Sequence, residues 1–407
     1  MPDTPAPPPV ILGDEPGSFP HGVLAERHPA IIRQVRDAFP YGPTVHHALD
    51  ALLESCTKGV IEPLPADAHD LAHWREWGLD GYVGRSWFDV PWLWSESYFY
   101  RRLLDAVGYF GPGVWQGIDP FRPFKLAELD APETDEELAA LDALETRPAD
   151  ERARALLHGS LWGNRADLGF RLSDSGAAAR DAVPALVADD SEALWALLPA
   201  TGDTGTGTGT DTGTDKAPTV CLIADNAGRE LIPDLLLAAH LLATGRAGRI
   251  VLHVKPYPYY ISDATPADVV DALRRLTAAP GAAAEHGRRL WAAMADGTLT
   301  VRAHPFSAAP LPFTDLPPDL RAEFGAAALT LVKGDLNYRR LVGDRRWPPT
   351  TPFADVTAYF PGPVAALRTL KSDVITGLSA RTEAALVAAE EQRWRTGGTH
   401  ALVQVRP

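Results

Sequence analysis

Residues 219–230 read Thr-Val-Cys-Leu-Ile-Ala-Asp-Asn-Ala-Gly-Arg-Glu, and residues 231–242 continue Leu-Ile-Pro-Asp-Leu-Leu-Leu-Ala-Ala-His-Leu-Leu. The first six residues are an apolar run rich in β-formers, of strand length. Asp225, Asn226 and Gly228 interrupt it, and a helical pattern follows over residues 229–242. A strand that turns tightly into a helix is the unit from which parallel sheets are built. The texture then repeats. Residues 249–254 read as a second strand, and Thr265-Pro266-Ala267-Asp268 opens a helix with an N-cap Thr, a first-position Pro and an acid at the third position. Residues 299–303 and 327–332 continue the strand series, and 335–342 is another helix. This alternation predicts an α/β fold, a three-layer α/β/α arrangement with a mostly parallel sheet. Ligands of such sheets bind at the carboxyl ends of the strands. That rule places Asp225, the segment around Asp263 and the segment 333–337 along one edge.

Working outward, residues 201–215 are a Thr-Gly repeat with interspersed Asp and nothing apolar to bury. A linker is expected over 199–217. Ahead of it, 15–198 reads as a mainly helical N-terminal domain, with apolar residues at three- and four-residue spacing over 30–39, 45–54 and 136–144. Residues 1–14 are a Pro-rich tail expected to be disordered, and 218–407 form the α/β domain.

Bulk composition narrows the function classes. The net charge of -15 argues against a nucleic-acid surface, which needs a basic face. A small anionic ligand remains allowed, because it needs only a local positive pocket. Cys56 and Cys221 lie far apart, so neither a disulfide framework nor a thiolate metal motif is implied by spacing. The greasiest stretch, 231–242, is too short and too polar to span a bilayer. No membrane partner is expected, a cytoplasmic location is, and oligomeric state is left open.

The chain has three asparagines, Asn164, Asn226 and Asn337, and six lysines against thirty-two arginines. Such bias suits a GC-rich genome and makes each surviving amide or ammonium worth inspecting. Asn226 follows Asp225 at a strand end, where carboxylate and carboxamide offer two hard oxygen donors. An ordinary helix N-cap explains that motif alone equally well. With Asp263 the set becomes carboxylate, carboxamide and carboxylate, which suits Mg²⁺ or Mn²⁺. His253 and His240 read as core or strand-end histidines. In Lys333-Gly334-Asp335-Leu336-Asn337-Tyr338-Arg339, the glycine admits close approach to a ligand and the helix start attracts an anion. Arg368-Thr369-Leu370-Lys371 adds a basic pair suited to phosphate oxygens.

Taken together, Asp225-Asn226 with Glu230, Pro-x-x-Ile-Ser-Asp263, the motif 333–339 and Arg368-Thr-x-Lys371 resemble the metal-dependent damage-control phosphatases. The likeness is to their acidic-residue-methyltransferase-like branch, which carries an Arg-Thr-x-Lys signature. Residues 91–102, Pro-Trp-Leu-Trp-Ser-Glu-Ser-Tyr-Phe-Tyr-Arg-Arg, and 161–168, Leu-Trp-Gly-Asn-Arg-Ala-Asp-Leu, resemble the helical-domain motifs of that branch. The resemblance implies Asp225, Asn226 and Asp263 as metal ligands, with Mn or Mg the metal and Co or Ni accepted in vitro. It implies Gly334, Asp335, Leu336, Asn337, Tyr338, Arg339, Arg368 and Lys371 as contacts of a small phosphorylated metabolite, and catalysis by Asp225, Asn226, Asp263, Asp335 and Lys371. The implied activity is phosphomonoester hydrolysis of sugar phosphates such as fructose 1-phosphate or fructose 6-phosphate by a metal-activated water. Asn164 receives no clear role. Two rival readings are an S-adenosylmethionine-dependent carboxyl methyltransferase and a repurposed member that binds a phosphorylated ligand or acts in secondary metabolism. The first usually needs a Gly-rich loop where this chain has Asp225-Asn226-Ala227-Gly228.

Overall fold

A computed structural model describes residues 7–163, 186–200 and 218–407. Asn164 and most of the expected linker lie outside the described residues. Within them one sheet runs in the order β1-β7-β6-β5-β2-β3-β4. Its strands are β1 Leu186–Asp189, β2 Thr219–Ile223, β3 Arg249–Val254, β4 Leu299–Ala303, β5 Leu329–Lys333, β6 Val364–Thr369 and β7 Ala401–Arg406. From β6 through β4 all neighbours are parallel, β7 is antiparallel to β6, and β1 is parallel to β7. The mostly parallel sheet is therefore as read from the alternating texture.

Strand residues alternate between two cores. Val220, Leu222 and Ala224 enter one, with the helices Pro132–Glu145, Ala149–Trp162, Leu231–Ala243, Pro266–Ala278 and Gly281–Asp296. Cys221 and Ile223 enter the other, with Pro318–Ala326 and Gly334–Val342. Period-two alternation between two buried faces is what makes a sheet the middle of three layers. The helix Leu231–Ala243 is buried on nearly every side from Leu231 to Leu241, matching its almost uninterrupted apolar sequence. Each such Leu contributes roughly 1.5–3 kcal/mol by burial.

A third core belongs to the N-terminal helices. Trp74, Trp87, Trp94, Tyr98 and Phe99 are buried there around the helix Trp92–Ala106. Asp70 anchors it, accepting from Arg101 Nε and Nη2 at 2.7 Å each.

The division of the chain differs from the expectation in two places. Helices 132–145 and 149–162 pack in the sheet's own core, and β1, also ahead of the linker, pairs with β7. So the separate helical core ends near Phe121. At the other end, residues 7–14 are not a loose tail. Ile11 is buried; its N–H donates to Asp344 O at 3.2 Å, and its carbonyl accepts from Trp92 N at 2.8 Å. Pairing of these backbone groups gives the segment the anchor that its proline content hid.

One feature of the topology positions the site. The chain builds β2, β3 and β4 outward in one direction, then returns to lay β5 and β6 on the other side of β2. The crevice beyond β2 and β5 is thus a topological switch point.

Candidate active site

Asp225 leaves β2 at that switch point, and Gly334 leaves β5 beside it. Gly334 has φ of 83°, a left-handed conformation, and a Cβ placed there would overlap the Asp225 carboxylate. Glycine is required twice over, for the turn and for the approach. On the other side Asn226 and Asp263 form a short antiparallel bridge. Ala264 N donates to Asp225 O at 2.9 Å and Ala227 N to Ser262 O at 2.6 Å. The two strand-end loops are thereby clamped together.

The carboxylates of Asp225 and Asp263 and the amide of Asn226 line a common cavity of about 150 Å³. Both acids are almost fully buried. Burial pushes the Asp225 carboxyl well above its ordinary range, and the negative charges of Glu230 and Asp263 add to that. Asp263 is also raised by burial, against the opposing pull of Lys255 and Lys125. Its Oδ2 makes no hydrogen bond among the described residues, and Lys255 Nζ stands 3.6 Å away. Asn226 is oriented by two partners: its Nδ2 donates to Glu230 Oε2, and its Oδ1 accepts from Ser262 Oγ, both at 2.8 Å. Two crowded carboxylates, one with an unsatisfied buried oxygen, and an oriented amide oxygen can hold a hard divalent ion. A cation there relieves the repulsion that burial creates.

Asp335, Leu336, Arg339 and Lys371 line the same cavity. The Asp335 Oδ1 accepts from Arg368 Nε at 2.8 Å and Ser372 Oγ at 3.0 Å. Burial alone would raise this carboxyl, but Arg368 and then Arg339 outweigh it and hold it below the ordinary range. Lys371 is exposed to the cavity, and its ammonium has no ion-pair partner among the described residues.

Four residues expected at the ligand lie elsewhere. Asn337 is fully buried; its Nδ2 donates to Ala224 O and Lys333 O, both at 2.9 Å. It ties the end of β2 to the end of β5. Tyr338 points the opposite way into the second core, its hydroxyl 3.0 Å from Thr376 Oγ1 and Gln404 Oε1. Arg368 is buried behind Asp335, and Gly334 packs against Asp225. On a helix, residues one and two apart do not share a face, so the motif 335–339 cannot all reach one ligand. Lys333 also points away, to Asp234 Oδ1 at 3.1 Å.

Sequence reasoning assigned no site role to the opposite wall. Phe19, Arg27, Trp92, Glu96, Tyr100 and Tyr260 line that side of the cavity. Trp92, Glu96 and Tyr100 recur every fourth residue on one helix, a spacing that puts them on one face and was legible in principle. Arg27 had no such signal. Arg339 bridges the walls: Nη1 donates to Glu96 Oε2 at 3.0 Å, Nε to Asp344 Oδ1 at 2.7 Å, and its guanidinium stacks 3.5 Å from the Trp92 ring centroid.

A family model described as the damage-control phosphatase ARMT1-like domain matches residues 23–387. The chain belongs to this family of phosphatases. The match takes in every cavity residue named above except Phe19. Damage-control phosphatase ARMT1 of Danio rerio is 30% identical over 443 residues, covering 98% of this chain and 97% of that protein. The protein of the same name from Homo sapiens is 29% identical, covering 96% and 97%, and that of Mus musculus is 33% identical, covering 78% and 74%. Among solved structures, a DUF89 family protein from Pyrococcus horikoshii gives a TM-score of 0.46 at 14% identity, covering 85% of this chain and 90% of that one. No helix among the described residues is long and apolar enough to cross a membrane.

Proposed function

We propose that this ARMT1-like phosphatase hydrolyses small sugar phosphates, with fructose 1-phosphate and fructose 6-phosphate as the first substrates to try, and uses Mg²⁺ or Mn²⁺ held by Asp225, Asn226 and Asp263. The observation that carries the reading is the presence of an all-oxygen donor set and a lysine ammonium in one cavity. Asp225, Asn226 and Asp263, whose Oδ2 has no hydrogen-bond partner among the described residues, line the same cavity as Lys371, whose ammonium has no ion-pair partner among them. A bound divalent ion supplies Lewis-acid polarisation of a phosphoryl oxygen and acidifies a coordinated water. The chain's own residues do the rest. Lys371 receives the peripheral phosphoryl oxygens as a point charge. Asp335, kept ionised by Arg368, is a poor proton donor and a good acceptor, so it orients a hydroxyl or the attacking water. Glu96, Tyr100 and Tyr260 offer the polar and aromatic wall against which a sugar ring lies. No observation favours the methyltransferase, since the β2 turn presents oxygen donors where a cofactor loop would need glycines.

The test is phosphate release from a panel of sugar phosphates, with chelated enzyme reconstituted by Mg²⁺, Mn²⁺, Co²⁺ or Ni²⁺. Activity should vanish with chelator and return with a divalent ion, and Asp225→Ala and Asp263→Ala should be inactive while folded. Turnover undiminished in excess chelator would refute the metal mechanism.

A further inference from the structure

On the sheet face covered by the helix Pro318–Ala326, away from the cavity just described, three ligand-type side chains converge. They are Cys221 on β2, His253 on β3 and Glu323 on that helix. Cys221 pairs in register with Val251, and Ile223 with His253, so the cysteine and histidine are diagonal neighbours on one face. One potential ligand atom from each residue lies within 4.8 Å of the others. Around a tetrahedral zinc ion, with Zn–S ~2.3 Å and Zn–N ~2.0 Å, such atoms stand about 3.5 Å apart. Small side-chain adjustments close that difference.

A second observation points to a ligand. His253 is 2% exposed, and its Nε2 makes no hydrogen bond among the described residues. That nitrogen faces Glu323 Oε1 at 3.6 Å, beyond hydrogen-bond reach. Burial, reinforced by Arg302 and His304, lowers the imidazole to about 3, so the ring is neutral and offers a lone pair. Glu323 has its other oxygen held by Arg302, which leaves Oε1 turned inward. A ligating carboxylate braced from behind is the usual arrangement at metal centres.

We propose that Cys221, His253 and Glu323 form a second metal site, distinct from the catalytic edge, which takes a borderline-soft divalent ion of the Zn²⁺ class with a water as fourth ligand. The mixed S, N and O donor set selects against the hard ions suited to Asp225 and Asp263. Binding exchanges the Cys221 S–H bond for a sulfur–metal bond and releases one proton to solvent. The bound ion ties the covering helix to β2 and β3 just upstream of Asp225 and Lys255, bracing the strand ends that carry the catalytic edge.

Co²⁺ titration of the metal-stripped full chain tests this independently of phosphatase activity. Thiolate-bound tetrahedral Co²⁺ gives a sulfur-to-metal charge-transfer band and intense visible bands, and an all-oxygen site gives neither. One equivalent should develop both in the wild type, in Cys56→Ala and in the Asp225→Ala/Asp263→Ala double variant. Both should be absent in Cys221→Ala, and one equivalent of Zn²⁺ should bleach them in the wild type. Glu323→Gln, at the outer end of the site, should keep the thiolate band but lose at least ~10-fold in Co²⁺ affinity. Absence of the charge-transfer band from folded wild type, its survival in Cys221→Ala, or unchanged affinity in Glu323→Gln would each overturn the site. Should Cys221→Ala fail to fold, the wild-type spectrum and the Glu323→Gln titration decide alone.

Discussion

At the scale of single residues, the geometry of the proposed site depends on side chains packed behind the cavity wall. Gly334 leaves room for the Asp225 carboxylate, Arg368 fixes Asp335, and Asn337 pins the ends of β2 and β5. Lys371 is different, since its ammonium has no ion-pair partner among the described residues. Lys371→Ala should therefore cut kcat by about 10²-fold or more, the typical cost of one donor to a developing charge, with little change in melting temperature. Lys371→Arg should restore only part, because a planar guanidinium does not reproduce a compact ammonium. Steady-state kinetics beside thermal denaturation separate these outcomes, and unchanged turnover in Lys371→Ala would remove it from the site. Asn337→Ala should behave in the opposite sense. It strips a donor from two buried carbonyls and an acceptor from Lys255, whose Nζ stands 3.3 Å from Asn337 Oδ1. Leaving such groups unsatisfied costs about 1–3 kcal/mol each, so denaturant midpoints should fall sharply. A stable but catalytically dead Asn337→Ala would return the residue to the ligand.

Elements were legible where local pattern and tertiary burial agree. The strands 249–254 and 299–303 were readable to the residue, because each is a short run with β-branched residues set between turn residues. The Thr265 start held as well, with Asp268 Oδ2 accepting from Thr265 N at 2.9 Å. By contrast β1 and β7 pair at long range, and Leu186–Asp189 carries too few residues to announce a strand. The acids proposed as metal ligands were read at strand ends, where α/β sites lie, and Asp225 and Asp263 line one cavity there. Asn337, Tyr338 and Arg368 were misplaced because a contiguous motif on a helix spans all of its faces. The helix Trp92–Ala106 carries the missed wall, and its seat is the Arg101–Asp70 pair. Burial pushes the Asp70 carboxyl up, but hydrogen bonds and charge from Arg101, with His69 and Trp74, outweigh it and hold it below the ordinary value. A depressed carboxylate contributes stability above its unfolded pKa of about 3.9, lost as pH falls through its lower folded value. Asp70→Asn should thus cost on the order of 3–5 kcal/mol at neutral pH, as for one partner removed from a buried pair. The gap in melting temperature between wild type and variant should stay constant down to about pH 4 and narrow below it. A gap independent of pH throughout would show that packing, not the ion pair, seats this helix.

For the whole molecule, the helical unit supplies one wall of the cavity proposed as the active site. Trp92, Glu96 and Tyr100 face Asp225, Asp263 and Lys371 across the cavity, and the Arg339–Glu96 pair joins the two sides at 3.0 Å. A ligand that touches both walls stabilises both. With Mg²⁺ present, a sugar phosphate at a hundred times its Kd should add about 2.7 kcal/mol of apparent stability, because it binds only the folded state. Amide exchange should slow in the segments around Asp225, Asp263 and Asp335 and also along Trp92–Ala106, far from any metal ligand in sequence. Glu96→Gln should weaken that second zone of protection and raise KM more than it lowers kcat, since the wall holds the sugar and not the phosphoryl group. S-adenosylmethionine should do neither, because its cationic sulfonium gains nothing beside a divalent ion and an ammonium. Protection confined to the sheet edge, with the helix unchanged, would mean that the substrate is recognised by phosphate and metal alone. The N-terminal unit would then serve only to cover the sheet.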